Sequence, residues 1–138
     1  MKRLLAICFI CAFIFGCNSS KEKNTSYEVK AKVNQIDQVT SNLSIRVNSV
    51  EDSRCPEGCE CVWAGEVKVF FSLINQGYSI DTSLVLPSKP RMQFKNFSII
   101  LESVSPYPIC NYEFPNIFTI YLHVDDINKE TLLVQGHL

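Results

Sequence analysis

The stretch Asp52-Ser-Arg-Cys-Pro-Glu-Gly-Cys-Glu-Cys-Val-Trp-Ala-Gly65 limits what this chain can fold into more than any other part of it. It holds three of the seven cysteines, the sole tryptophan and two of the five glycines. Cys8, Cys11 and Cys17 lie in a leader-like N-terminal segment, which leaves Cys55, Cys59, Cys61 and Cys110 for the folded part. An even number of cysteines in a small exported domain favours two disulfides, because an oxidising compartment consumes free thiols. A Cys59–Cys61 bridge is disfavoured: on an extended chain their Cα atoms stand about 6.6 Å apart, near the upper limit of disulfide geometry. Its complement, Cys55–Cys110, falls with it. Between the two remaining arrangements, Cys55–Cys61 with Cys59–Cys110 is favoured. The first bridge closes a tight loop over Pro56, Glu57 and Gly58, and the second ties that loop to the segment after Pro108. Thiolate ligation of zinc or copper is the competing use of Cys-x3-Cys-x-Cys. Zinc sites usually show Cys-x2-Cys pairs or partnered histidines, and His123 and His137 are both remote in sequence. No metal and no cofactor are therefore expected.

The N-terminus supplies the compartment. Lys2 and Arg3 precede an unbroken apolar run from Leu4 to Phe15, too short to span a bilayer as a helix and of the right length for a secretory signal over 1–16. Ile14-Phe15-Gly16-Cys17 resembles the lipobox of bacterial lipoproteins. That resemblance implies lipidation of Cys17, which becomes the new N-terminus, and anchoring to the outer membrane on its periplasmic or surface side. Residues 17–26 are polar and read as a tether, and 27–138 as a disulfide-stabilised domain. Without Lys2 and Arg3 the chain carries 11 basic and 14 acidic residues, with no basic patch, which argues against a nucleic-acid partner. The expected partner at this end is the membrane, through the lipid.

Within the domain the hydrophobic period is two. Tyr27, Val29, Ala31 and Val33 alternate with polar residues, as do Leu43, Ile45 and Val47, with a phase slip near Ser49-Val50 that predicts a bulge. Val67, Val69, Phe71 and Leu73 form one face of the next strand. Asn75-Gln76-Gly77 predicts a hairpin return through Ile80, Thr82, Leu84 and Leu86, ended by Pro87-Ser88-Lys89-Pro90. Phe97–Val104 and Ile117–Val124 are further strands, and Leu132–Val134 a weaker tail strand. Six or seven short strands with no helical period predict an all-β fold, an antiparallel β-sandwich of immunoglobulin-like build, with a partly open barrel as the alternative.

Asp52-Ser53-Arg54-Cys55-Pro56 followed by Cys61-Val62-Trp63-Ala64-Gly65 resembles the motif Asp-Ser-Arg-Cys-Pro-x4-Cys-x-Trp-x-Gly of a group of small bacterial exported proteins and lipoproteins. In that group the cysteines matching Cys55 and Cys61 form a pair, while Cys59 and Cys110 are additions that fit one extra bridge. The resemblance brings no activity with it. Trp63 is expected in the core against a disulfide, and Arg54 in an ion pair with Asp52 or donating to loop carbonyls. Tyr107, Tyr112 and Phe114 lie near Cys110 and suggest an aromatic patch beside the cysteine corner. His123 reads as a partly exposed strand residue and Asp125-Asp126 as a solvated turn. The chain lacks Gly-x-Ser-x-Gly, a phosphate-binding glycine loop and His-Glu-x-x-His, so an enzyme is not expected. The expected role is a lipid-anchored structural or protein-interaction module of the cell envelope. The alternative is an inhibitor or ligand-binding module presenting the braced loop, with Arg54, Pro56, Glu57, Trp63, Tyr107 and Tyr112 as its contact residues.

Overall fold

Alternation of apolar and polar residues becomes eight strands in the computed structural model, which describes residues 25–113 and 117–127. The strands are β1 (Thr25–Lys32), β2 (Ile36–Gln38), β3 (Ser44–Asp52), β4 (Val67–Asn75), β5 (Tyr78–Leu86), β6 (Arg91–Phe94), β7 (Phe97–Ser105) and β8 (Thr119–Asp126). They form two four-stranded antiparallel sheets, β1-β8-β7-β6 and β2-β3-β4-β5, packed as a sandwich with no closed barrel. Cys17, the leader, Phe114, His137 and the tail strand expected at Leu132–Val134 lie outside the described residues.

The core is the set of inward positions that the period of two selects. Ile45, Val47, Val67, Val69, Phe71, Leu73 and Leu84 come from one sheet, and Ala31, Ile99, Leu101, Ile120, Leu122 and Val124 from the other. All are fully buried or nearly so. Two bulges keep the apolar residues inward where the spacing slips from two to three. In β3 the register with β4 shifts between Val47 and Ser49, as the phase slip predicts, and carries the inward face from Val47 to Val50. In β7 the shift falls between Leu101 and Ser103, so Leu101 and Val104 both reach the core across Glu102. The β4–β5 hairpin turns on Gln76 (φ 48°) and Gly77 (φ 82°), the positive pair that a two-residue hairpin matching strand twist requires.

Three expectations need correction. There are eight described strands rather than six or seven, because β2 and β6 have only three and four residues, too short for alternation to reveal. β1 begins at Thr25, inside the stretch read as tether, since Thr25 and Ser26 pair with Asp126 and Asp125. For the same reason Asp125 and Asp126 are the last residues of β8 and not a turn.

Candidate functional site

The cysteine stretch links the end of β3 to the start of β4 and folds as a corner at one end of the sandwich. Backbone bonds continue the strand pair outward for a few residues: Ser53 donates to the Glu66 carbonyl (2.8 Å) and Cys55 to that of Ala64 (2.8 Å). The chain then turns over Pro56-Glu57-Gly58, with Cys59 N–H donating to the Pro56 carbonyl (3.1 Å) and Gly58 at φ +87°. Both favoured disulfides are present, Cys55–Cys61 and Cys59–Cys110, so none of the four cysteines is available as a thiolate ligand.

The corner is also sewn to the segment that follows β7. Glu57 N–H donates to the Pro108 carbonyl (2.9 Å), and Cys110 N–H donates to the Glu57 carbonyl (2.9 Å). Glu57 and Ile109 thus form a parallel bridge next to the Cys59–Cys110 disulfide. Glu57 acts here through its backbone, and its side chain stays in solvent.

Arg54 is the hub beneath the loop. Its Nε and one Nη2 hydrogen reach the two oxygens of Asp52 (2.8 and 2.6 Å), while Nη1 donates to the Val104 carbonyl (2.9 Å) and Nη2 to that of Pro106 (3.0 Å). The two side chains are 11% and 12% exposed. The ion pair and the carbonyl contacts expected as alternatives therefore occur together. The Tyr107 ring covers the guanidinium at 4.5 Å, a geometry favourable for a cation over an aromatic face. The guanidinium fork fits this site because a planar group with several fixed donors can meet a carboxylate edge-on and still bond two carbonyls.

Gly65 explains the end of the motif. It sits at φ +72°, and a Cβ there would come 1.9 Å from the Ser53 carbonyl oxygen and 2.9 Å from Arg54 Cα. Those atoms are backbone and cannot swing aside. Gly65→Ala is expected to destabilise the domain by at least about 2 kcal/mol, measured by urea unfolding with disulfides intact. A loss near zero would mean that the turn relaxes without it.

Trp63 is placed differently from expectation. It is 66% exposed, and its neighbour Val62 is fully exposed, so the tip of the corner displays both side chains outward. The Cys55–Cys61 staple and the Cys55–Ala64 bond fix the backbone on either side of Val62 and Trp63, while Val67 takes the buried position at the start of β4. The side chains of Glu57 and Glu60 are exposed and that of Glu66 is half-buried, with no Lys or Arg between Cys55 and Glu66. Tyr107, Ile109 and Tyr112 also remain largely exposed on the neighbouring segment, Tyr112 beside Pro106 and Pro108. Arg54 and Pro56 are half-buried supports, not displayed groups.

Sequence reasoning missed a cleft of about 300 Å³ at the base of the corner, where Val67, Leu86 and Val104 meet Ala64, Arg54 and Tyr107. It also missed a group on the open outer face of the β1–β8–β7 sheet. There Ser26 Oγ lies 2.9 Å and Asp125 Oδ1 3.0 Å from His123 Nε2, with Glu102 Oε1 3.9 Å from Nδ1. No alternation pattern could signal it, because it joins positions 97 residues apart. At the opposite end of the sandwich a polar hollow of about 440 Å³ has its groups bonded to one another: Lys95 to Asn75 (2.5 Å), Asn75 to the Asn42 carbonyl (2.7 Å) and Asn96 to Asp126 (2.6 Å). Asp37, on β2, has its carboxyl raised above the ordinary range by burial, and its Oδ2 has no hydrogen-bond partner among the described residues. Comparison with protein-family models, with curated proteins and with solved structures finds no match to the chain.

Proposed function

We propose that this protein is an exported module, held to the outer membrane by a lipid on Cys17, that works by binding another protein through its doubly stapled corner. The observation that carries the reading is the exposure of Trp63 and Val62 on backbone fixed by two disulfides, the Arg54 fork and the Glu57–Ile109 bridge. A large aromatic held rigidly in solvent loses little entropy on docking, which is why such residues anchor interfaces. The placement of the corner supports the same reading. Chain coming from Cys17 joins the sandwich at Thr25, paired with Asp126, whereas the corner adjoins Ser105 and Val67 at the other ends of their sheets. An eight-residue strand spans about 26 Å, so an anchored domain would hold the tip about that much farther from the membrane than Thr25.

The test separates display from structure. Trp63→Ala is expected to leave unfolding stability within about 0.5 kcal/mol of the parent, as for an exposed side chain. Recovery of envelope proteins crosslinked to the corner should fall at least about tenfold, the loss of one modest anchor. A stability loss of about 2 kcal/mol or more would make Trp63 a packing residue and end the proposal. Mass analysis of the mature protein, with Cys17→Ser as control, tests the lipid separately. A second reading, a module for a small apolar ligand, is favoured by the cleft beside Arg54 and Tyr107, whose lining is mostly apolar with few polar groups.

A further inference from the structure

A sheet edge exposes a row of backbone donors and acceptors, and proteins blunt it with short strands, lysines, prolines or bulges. The four edges here are β1 and β6 in one sheet and β2 and β5 in the other. β2 and β6 are three and four residues long, and β1 carries Lys30 and Lys32. β5 has none of these protections. It runs nine residues without lysine or proline, its register with β4 is unbroken, and Asp81 is its sole charge.

The two-residue turn makes Asn75 and Tyr78 the closing hydrogen-bonded pair, so the even-numbered residues from Tyr78 to Leu86 bond to β4. Ser79, Asp81, Ser83 and Val85 then aim their backbone groups outward. Val85 agrees with that phase: it exchanges both bonds with Lys89 (2.9 and 2.8 Å), which closes the edge at its far end. Among the described residues no backbone group meets Ser79, Asp81 or Ser83 on that side. On the core side Ile80 and Thr82 are only half-buried. On the outer side Asp81 accepts the Ser72 hydroxyl (2.6 Å) beside a hollow of about 400 Å³ framed by Asn48, Phe70 and Ser83. Lys68 Nζ lies 4.6 Å from the Phe70 ring, and Arg46 stands opposite Ser72 on β3, in the same cross-strand row as Asp81.

We propose that β5 from Ser79 to Ser83 accepts an extended segment of a partner protein as an added strand. The segment places a lysine or arginine opposite Asp81 and apolar residues over Ile80 and Thr82. Main-chain bonds supply the affinity of such an addition and alternate side chains its specificity. Charge selects a basic partner over a second copy of this chain. Antiparallel self-pairing that uses all three outward residues sets the two copies of Asp81 face to face, and like charges directly opposite are destabilising. Sliding it one way runs Ser79 onto Val85, which the Pro87–Pro90 loop already holds, and sliding it the other way engages only Ser79 and Asp81. This surface is independent of the cysteine corner.

The test titrates the folded domain, disulfides intact, with the capped peptide Val-Thr-Val-Lys-Val-Thr-Val, read by amide shifts and hydrogen exchange. Saturable binding with protection of the Ser79, Asp81 and Ser83 amides is expected. A peptide with glutamate at the centre should bind about five- to tenfold more weakly, and Asp81→Lys should invert that preference. Ser83→Pro removes an outward donor while sparing the β4 ladder, and should abolish binding. The proposal is overturned by absence of saturable binding, by equal affinity for the two peptides, or by undiminished binding to Ser83→Pro. Dimerisation of the free protein that Ser83→Pro eliminates would overturn it too, in favour of self-pairing.

Discussion

Arg54→Ala is expected to cost about 3 kcal/mol of stability, although Arg54 belongs to a loop and no core residue is touched. The substitution strips Asp52, whose side chain is 12% exposed, of its two guanidinium bonds from Nε and Nη2, and leaves it only the bond from the backbone N–H of residue 54. The carbonyls of Val104 and Pro106 also lose their donors. A polar group left unmatched away from water costs more than the bond was worth, so the loss exceeds that of a surface ion pair. Arg54→Lys should recover little, with a loss of about 2 kcal/mol, because one ammonium cannot meet the carboxylate edge and both carbonyls at once. Urea unfolding with intact disulfides measures both variants. In an Asp52→Ala background the further effect of Arg54→Ala should shrink, since the stranded charge is gone. If Arg54→Ala costs under about 1 kcal/mol, solvent already screens the group and the disulfides hold the corner without it.

That prediction marks where sequence reading succeeds and where it stops. Asp52 and Arg54 are two residues apart, so their pairing is local and legible. The Val104 and Pro106 carbonyls are about fifty positions away and enter only through topology, because β7 ends beside the end of β3 in the facing sheet. Strand identity was legible where alternation ran for five or more residues, Leu43–Val47 leading into β3 among them, and the bulge in β3 showed as a phase slip. The bulge at Glu102 left the same signal, Leu101 and Val104 spaced three apart like Val47 and Val50, but Ile99-Ile100-Leu101 just before it blurs the alternation against which a slip is read. The disulfide pairing followed from the short spacing and the turn residues between Cys55 and Cys61. Trp63 failed for a physical reason: its hydrophobicity argues for burial, but the staple that precedes it carries the chain away from the core. Residue type alone cannot say which side of a staple faces solvent.

The Cys59→Ser/Cys110→Ser double variant is expected to lose about 4 kcal/mol, and Cys55→Ser/Cys61→Ser about 2 kcal/mol. The difference comes from the unfolded chain. The long bridge spans 51 residues and the short one 6, so the long bridge removes more freedom from the denatured ensemble. A loss of about 4 kcal/mol is a large share of the 5–15 kcal/mol typical of a domain, and should lower Tm by roughly 15–20 °C. The native state should lose its order locally as well. Without Cys59–Cys110, the two Glu57 backbone bonds, the Arg54 carbonyl contacts and the Tyr107 ring over the guanidinium still join the loop to residues 104–110. Amide exchange at Glu57 and Cys110 should therefore quicken while β4 and β8, with buried Phe71 and Leu122, keep their protection. Differential scanning calorimetry and amide exchange on the two variants decide the matter. Should the six-residue bridge prove the costlier loss, loop entropy is not what the bridges contribute. Packing around Cys55, whose amide holds Ala64 and whose sulfur lies beside the Cys59 carbonyl, would then set the stability of the corner.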